Sequence, residues 1–396
     1  MRLALLIVLI LLYALPATAL VIDADTLWRG ELSFSEDVRV MPGATLTVAP
    51  GATIRFVGAK LEVSGRLIAE GAEFSGENWE GLRLKGTDAT TRISDCVIKG
   101  ATTGIFVQGG APLLERLTLS DNKIGIELRG KAAGTVSNCR FVANRKVGLF
   151  VKDDSTTAVV GCRFENNSRY GAYLYHALPR SFQDNVFSGN AIGLMIAYHG
   201  SDPEVKGNRF EKNEVAIQVD RAARPLIQGN LLLGNQTGLY IYRRSDPVIS
   251  GNRIEKNGVG LLVAYSSYPQ IEANDFLANA MALKLEFQSS AWETERGADA
   301  RAGQTSAKSA FAGQGMRNVT EDDRRAKRID GTVDAKGNWW GAEGTAELLK
   351  IGTSGNPSFI HDGKDQATFV DAGEEYPLDK IIHAPWSDVP LTELKP

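Results

Sequence analysis

The chain is poor in cysteine, in histidine and in long apolar runs, and it carries little excess charge of either sign. Three cysteines in 396 residues exclude a scaffold built on disulfides, and no C-x-x-C pair is present to hold zinc. Four histidines leave few imidazoles for a metal centre. A net charge of −3 excludes the basic face that general nucleic-acid binding needs, so no nucleic-acid partner is expected. After the N-terminal segment, no stretch is apolar for the roughly 20 residues a membrane span requires.

The N-terminal segment itself reads MRLALLIVLILLYALPATA. Arg2 gives a positive start, Leu3 to Leu15 an apolar run too short for a comfortable span, and Ala17-Thr18-Ala19 a small-residue cleavage site. Residues 1–19 are therefore expected to be a signal peptide cut before Leu20, making the mature protein periplasmic or extracellular.

Glycine is plentiful, at 41 residues, and asparagine recurs with a fixed step. Asn185, Asn208, Asn230, Asn252 and Asn274 stand 22 or 23 residues apart, and Cys162 and Cys139 hold the same slot one and two steps earlier. A second series runs Asn122, Asn144, Asn167, Asn190, Asn213, Asn235, Asn257, Asn279. Apolar slots keep step with both, as in Phe141, Phe164, Phe187 and Phe210, and so does a small residue, as in Gly125, Gly148, Gly171 and Gly193. Apolar residues alternate at period two between these marks, which means short strands separated by Asn, Gly and Asp-Pro turns. One repeat of this length cannot bury its apolar face, but stacked repeats can. Each strand then pairs in parallel with its equivalent at ~4.8 Å, and side-chain amides hydrogen-bond along the asparagine columns. The period predicts an all-β, single-stranded parallel β-helix with rungs of 22–23 residues.

The pattern N-x-[IF]-x-x-N-x-x-G-[IL]-x-[ILV] over residues 91–288 resembles the repeats of pectate-lyase-like and NosD-like proteins. That resemblance implies a right-handed solenoid. It does not fix an activity, because the fold hosts lyases, hydrolases, epimerases and non-enzymatic proteins. Residues 20–90 are expected to hold the N-terminal cap and first rungs, with turns at Pro42-Gly43-Ala44 and Pro50-Gly51-Ala52. Residues 289–328 break the period and read as an inserted loop, flexible or partly helical. Asn338 in the stretch GNWWG then resumes the asparagine slot, and residues 329–396 should supply the last rung and a C-terminal cap, with Trp340 turned inward as an end plug.

Cys96, Cys139 and Cys162 share one slot and are expected as a buried stack of thiols rather than a disulfide. On the outward side of the repeated strand, Tyr173, Tyr175, Tyr198, Tyr240, Tyr242, Arg243 and Tyr265 fall on neighbouring turns. A contiguous exposed aromatic strip with charged flanks is suited to stacking sugar rings and bonding their hydroxyls and carboxylates. A polysaccharide or an envelope protein is the expected partner. Asp220, Arg221, Arg224 and Arg243 form the best local cluster for catalysis, with an arginine base beside a carboxylate that could serve calcium or a proton. Asp153, His176 and His199 are 23 residues apart and could line up as metal ligands. The NosD-like resemblance implies copper for such a column, and the lyase resemblance implies calcium. The leading expectation is an exported, non-enzymatic β-helix that binds a polysaccharide. A polysaccharide lyase acting on the same face, and a NosD-like copper-maturation accessory, are the alternatives.

Overall fold

A computed structural model describes residues 19–295 and 329–393. Residues 1–18 of the expected signal peptide and residues 296–328 of the expected insertion lie outside the described residues. Most strands form three parallel sheets running the length of a solenoid, of 14, 12 and 12 strands, each strand paired with its counterpart on the next rung, and the C-terminal segment adds two small two-stranded sheets. The parallel β-helix expected from the period, in the right-handed form implied by the resemblance, is the fold observed. Residues 20–34 already make a complete first rung, Leu20–Ile22, Thr26–Trp28 and Glu31–Phe34.

The widest sheet carries strands of up to six residues, such as Tyr170–Tyr175 and Val215–Asp220, while the other two carry mostly three-residue strands. Equal rung lengths keep identical positions in register. Phe141, Phe164, Phe187 and Phe210 therefore stack face to face with centroids 4.7, 4.5 and 4.6 Å apart. The small-residue column has a steric cause. A Cβ on Gly148 would lie 2.5 Å from the Gly171 carbonyl oxygen and 3.0 Å from Phe141, so the corner closes only around a residue with little or no side chain.

The asparagines form two buried ladders. In one, each Nδ2 donates to the next Oδ1 from Asn122 through Asn279, at 2.9–3.2 Å. In the other, the ladder runs from Asn185 to Asn274 and then bonds Asn338 at 3.0 Å, passing across the interruption in sequence. Its earlier slots hold Cys162 and Cys139. Their Sγ atoms lie 3.6 Å from the Val136 and Leu114 carbonyls, the same contact that Asn185 Nδ2 makes to Val159. All three cysteines are buried free thiols, and burial pushes the Cys96 thiol up to about 11. Trp340 is buried against Phe276 with centroids 4.8 Å apart. With the helix Gly341–Ile351, which buries Leu348, it closes the end of the core.

Candidate functional site

The widest sheet turns one face inward and the other toward solvent, and the outward face is not flat. Val147, Tyr170, Met195 and Ala197 are buried there in a cluster of their own, separate from the interior core, with Phe150, Tyr173 and Ile192 packed around them. They line one end of a cleft of about 510 Å³, whose other end is formed by Gln218, Asp220, Arg221 and Arg243. Burial, first of all, pushes the phenols of Tyr173 and Tyr240 above their ordinary range.

The strands of this sheet end in a turn whose geometry repeats. Lys85, Gln108 and Arg129 are paired neighbours near the end of successive strands, and Lys152, Tyr175, Ala197 and Asp220 continue the series. The next residue in each rung has positive φ. In the first three of these rungs it is glycine, at Gly86, Gly109 and Gly130. In the next seven it is Asp153, His176, Tyr198, Arg221, Arg243, Tyr265 and Phe287, with φ between +47° and +77°. Left-handed backbone disfavours a side chain, most strongly a bulky one. Non-glycine residues such as Arg116, Asn138 and Lys212 take positive φ at the other two corners too, but glycine recurs among them, at Gly161 and Gly189 for example, whereas here seven consecutive rungs carry a side chain.

These side chains touch along the solenoid axis. His176 lies 5.3 Å from His199 and 4.9 Å from Tyr198, between ring centroids. Arg221 stacks over Tyr198 at 4.7 Å and donates to its hydroxyl. Arg243 stacks over Tyr242 at 4.6 Å. Its Nε donates to Asp220 Oδ1 at 2.7 Å, and its Nη2 is paired with Oδ2. Asp220 is 2% exposed, so the carboxylate works as a fixed strut beneath the guanidinium. The hydrogen bonds to Asp220 hold Arg243 above its ordinary value. Farther on, Tyr242, Tyr265 and Phe287 continue the aromatic contacts at 5.0 and 5.3 Å.

A family model described as periplasmic copper-binding protein (NosD) matches residues 148–342. A second, described as right-handed beta helix region, matches residues 57–210. The chain is a parallel β-helix repeat protein that is similar to these two families over the residues matched. Among solved structures, this β-helix protein is similar to a double mutant of the periplasmic alginate epimerase AlgG, at 14% identity and a TM-score of 0.40 over 61% of this chain and 64% of that one. An alginate lyase from Paenibacillus sp. str. FPU-7 matches at 12% identity and a TM-score of 0.34, over 65% of this chain and 99% of that one. The catalytic domain of a GH87 α-1,3-glucanase matches at 10% identity and a TM-score of 0.35, over 68% and 60% respectively. The β-helix protein thus spans less than two thirds of the epimerase and glucanase chains. No curated protein matches it.

The predicted residues sort clearly in this frame. Tyr173, Asp220, Arg221 and Arg243 line the cleft, and Tyr175 packs on Tyr198 at 4.5 Å beside it. Tyr240, Tyr242 and Tyr265 extend the same face. Arg224 does not join them. It is largely buried on another side of the rung and paired with Asp246 at 3.3 Å. Asp202 and Asp246 act as turn formers, each accepting a backbone N–H from the next rung, of Arg224 and Tyr268. Asp153, His176 and His199 are not brought together as a set of three ligands: among the described residues no group of three His, Cys, Asp or Glu side chains is placed to hold an ion. Burial, and then the neighbouring His199, lower the His176 imidazole from its ordinary value.

Sequence reasoning missed Val147, Tyr170 and Ile192. They stand immediately before the small residue, where a turn was expected, but the strand has already begun there. Their bulky apolar character at an outward position was the available signal.

Proposed function

We propose that this β-helix protein binds an extended glycan of the cell envelope along the outer face of its widest sheet, without transforming it. The observation that carries this reading is the run of aromatic and charged side chains held at left-handed turn positions from Asp153 to Phe287. Keeping side chains there costs on the order of 1 kcal/mol apiece. A solenoid that already uses glycine at that slot upstream has a cheaper structural solution, so binding is the economical reason for the departure.

The groove suits a polymer. Eight rungs, from that of Ile124 to that of Met281, contribute to this face. Seven spacings of ~4.8 Å make a track about 34 Å long. Tyrosine faces offer stacking surfaces for sugar rings, and Arg221 and Arg243 offer planar donors for hydroxyl or carboxylate oxygens. The non-enzymatic part of the reading rests on Asp220. Both of its oxygens are engaged by Arg243, which leaves this carboxylate poorly suited to act as a base or a calcium ligand. No helix among the described residues is long and apolar enough to cross a membrane, which is compatible with an exported protein.

Binding to a panel of envelope polysaccharides, compared between the parent and Tyr173→Ala, Tyr175→Ala, Tyr240→Ala and Tyr242→Ala variants, tests the proposal. Affinity should fall about five- to 150-fold for each stacking residue lost, the equivalent of about 1–3 kcal/mol per stacked ring. Unchanged binding in all four variants would overturn it. A second reading, copper handling, is favoured by the NosD match, whose span includes His176 and His199. Copper content of the purified protein, with and without His176→Ala, separates the two readings.

A further inference from the structure

The two ends of the cleft differ in character. Toward its C-terminal rungs it is polar and charged, with Gln218, Asp220, Arg221 and Arg243. Toward its N-terminal rungs it is apolar, and four aliphatic side chains, Ile124, Val147, Ile192 and Met195, stand there among Phe150, Tyr170 and Tyr173. Val147 is 2% and Met195 6% exposed, although both lie outside the solenoid core. Aliphatic walls are poor platforms for sugar rings. They present no flat π face, and they leave the hydroxyls on a ring's rim without partners. They are good walls for an alkyl or acyl group. The cleft they line is of a size with small-ligand pockets, which run to roughly 300–1,000 Å³. It opens directly onto Arg221 and Arg243 at one end. At the other end two exposed cations flank it, Lys146 and Arg169, the latter stacked over Tyr170 at 4.9 Å.

Resting on the glycan reading above, we infer that the ligand is an acidic glycan carrying an O-acyl substituent, and that the substituent enters the cleft between Val147, Tyr170, Ile192 and Met195. The glycan chain continues along the tyrosine strip, and its carboxylates meet the guanidinium groups of Arg221 and Arg243. Continuity of the cleft with the strip is what selects this occupant over a free lipid. The apolar end opens into a track long enough for several sugars, and it is ringed by cations on both sides.

The test uses the whole protein and an O-acetylated oligouronate, compared by calorimetry with the same oligosaccharide after mild alkaline de-O-acetylation. Each buried carbon group is worth about fourfold in affinity, so the acetylated form should bind about four- to ten-fold more tightly. In Met195→Gln the ratio should collapse toward one. Ile192→Thr, at a half-buried position less critical for folding, should reduce the ratio as well. Far-UV circular dichroism and melting temperature confirm that the variants are folded. Equal affinity for the two forms in the parent overturns the acyl inference while leaving the glycan reading intact, as does a ratio that persists in both variants. Absence of binding by either form overturns the acidic acyl-glycan inference, while the glycan reading stands or falls on the polysaccharide panel.

Discussion

Removing one rung of an asparagine ladder should cost this solenoid far more than an ordinary polar-to-alanine change. Asn213 is 2% exposed. Its Oδ1 accepts from both the backbone N–H and the Nδ2 of Asn190, each at 3.0 Å. Its Nδ2 donates to the carbonyls of Phe187 and Glu211 and to Asn235 Oδ1, at 3.1, 3.2 and 3.0 Å. In Asn213→Ala the Asn190 N–H is stranded in the core, and Phe187, Glu211 and Asn235 each lose a donor. One orphaned donor at about 1–3 kcal/mol, plus the partial losses, gives a destabilisation of about 3–5 kcal/mol. Asn213→Asp should be worse at neutral pH. One oxygen can still serve Asn190, but the other is pointed at three acceptors and its charge is buried. That carboxyl would have a raised pKa in the folded state, so its penalty grows as pH rises through the folded value and shrinks on acidification. Urea unfolding by circular dichroism, with hydrogen exchange at the Asn190 amide, measures both effects. A loss below about 1 kcal/mol for Asn213→Ala would refute the reasoning, and so would an Asn213→Asp variant as stable as the parent at pH 7.

Two other outcomes follow from the same structure. Cys162→Asn should extend the second ladder by one rung, because Cys162 N–H already donates to Asn185 Oδ1 at 2.9 Å and its Sγ sits at a carbonyl that an amide could serve better. A gain of about 1 kcal/mol in urea unfolding is expected, and a loss would show that the slot is too tight for the larger side chain. Stability should also fall as pH drops below about 6.5. Burial lowers the folded-state values of His176 and His383, so the unfolded chain binds these protons more readily, and the stability present above that pH is lost as acid titrates them. Asp379, raised by burial, works in the opposite direction. Comparing the parent with His176→Gln by thermal melts at pH 7.5 and 5.5 therefore isolates the imidazole, and an equal pH response in both proteins would remove it from the account.

The fold was legible because a solenoid writes its geometry into the sequence period. Stacking puts every 22nd or 23rd residue in the same environment, so Phe141 to Phe210, the glycine column and the asparagine ladders each announce a buried slot. The continuation from Asn274 to Asn338 could be read across a sequence separation of 64 residues because the slot chemistry is so specific. The site was legible only in part. The outward tyrosines were found because alternation fixes which side chains leave the core. Arg224 was misplaced into the cluster with Asp220 because four residues of separation looked close, whereas a corner intervenes and turns it to another side. Val147, Tyr170 and Ile192 were passed over because position relative to a corner cannot be read from alternation alone. Nor could the sequence show that a cleft exists on this face, since that depends on how neighbouring side chains lean over one another.

One signal was available and carries more than composition. When Gly86, Gly109 and Gly130 give way to Asp153, His176, Tyr198, Arg221, Arg243, Tyr265 and Phe287 at the same left-handed turn, the backbone has not changed but the residue it prefers has been given up. The rungs remain folded because the interior columns hold them: the phenylalanine stack and the two amide ladders fix each rung against its neighbours. On the glycan reading proposed above, stability and recognition sit on different columns of one repeat. The inward columns stay apolar or amide from rung to rung, while the turn column varies between acid, imidazole, phenol, guanidinium and phenyl. Each unit of a bound polymer would then meet a different rung, and changing one rung's turn residue would alter one contact without disturbing the stack beneath it.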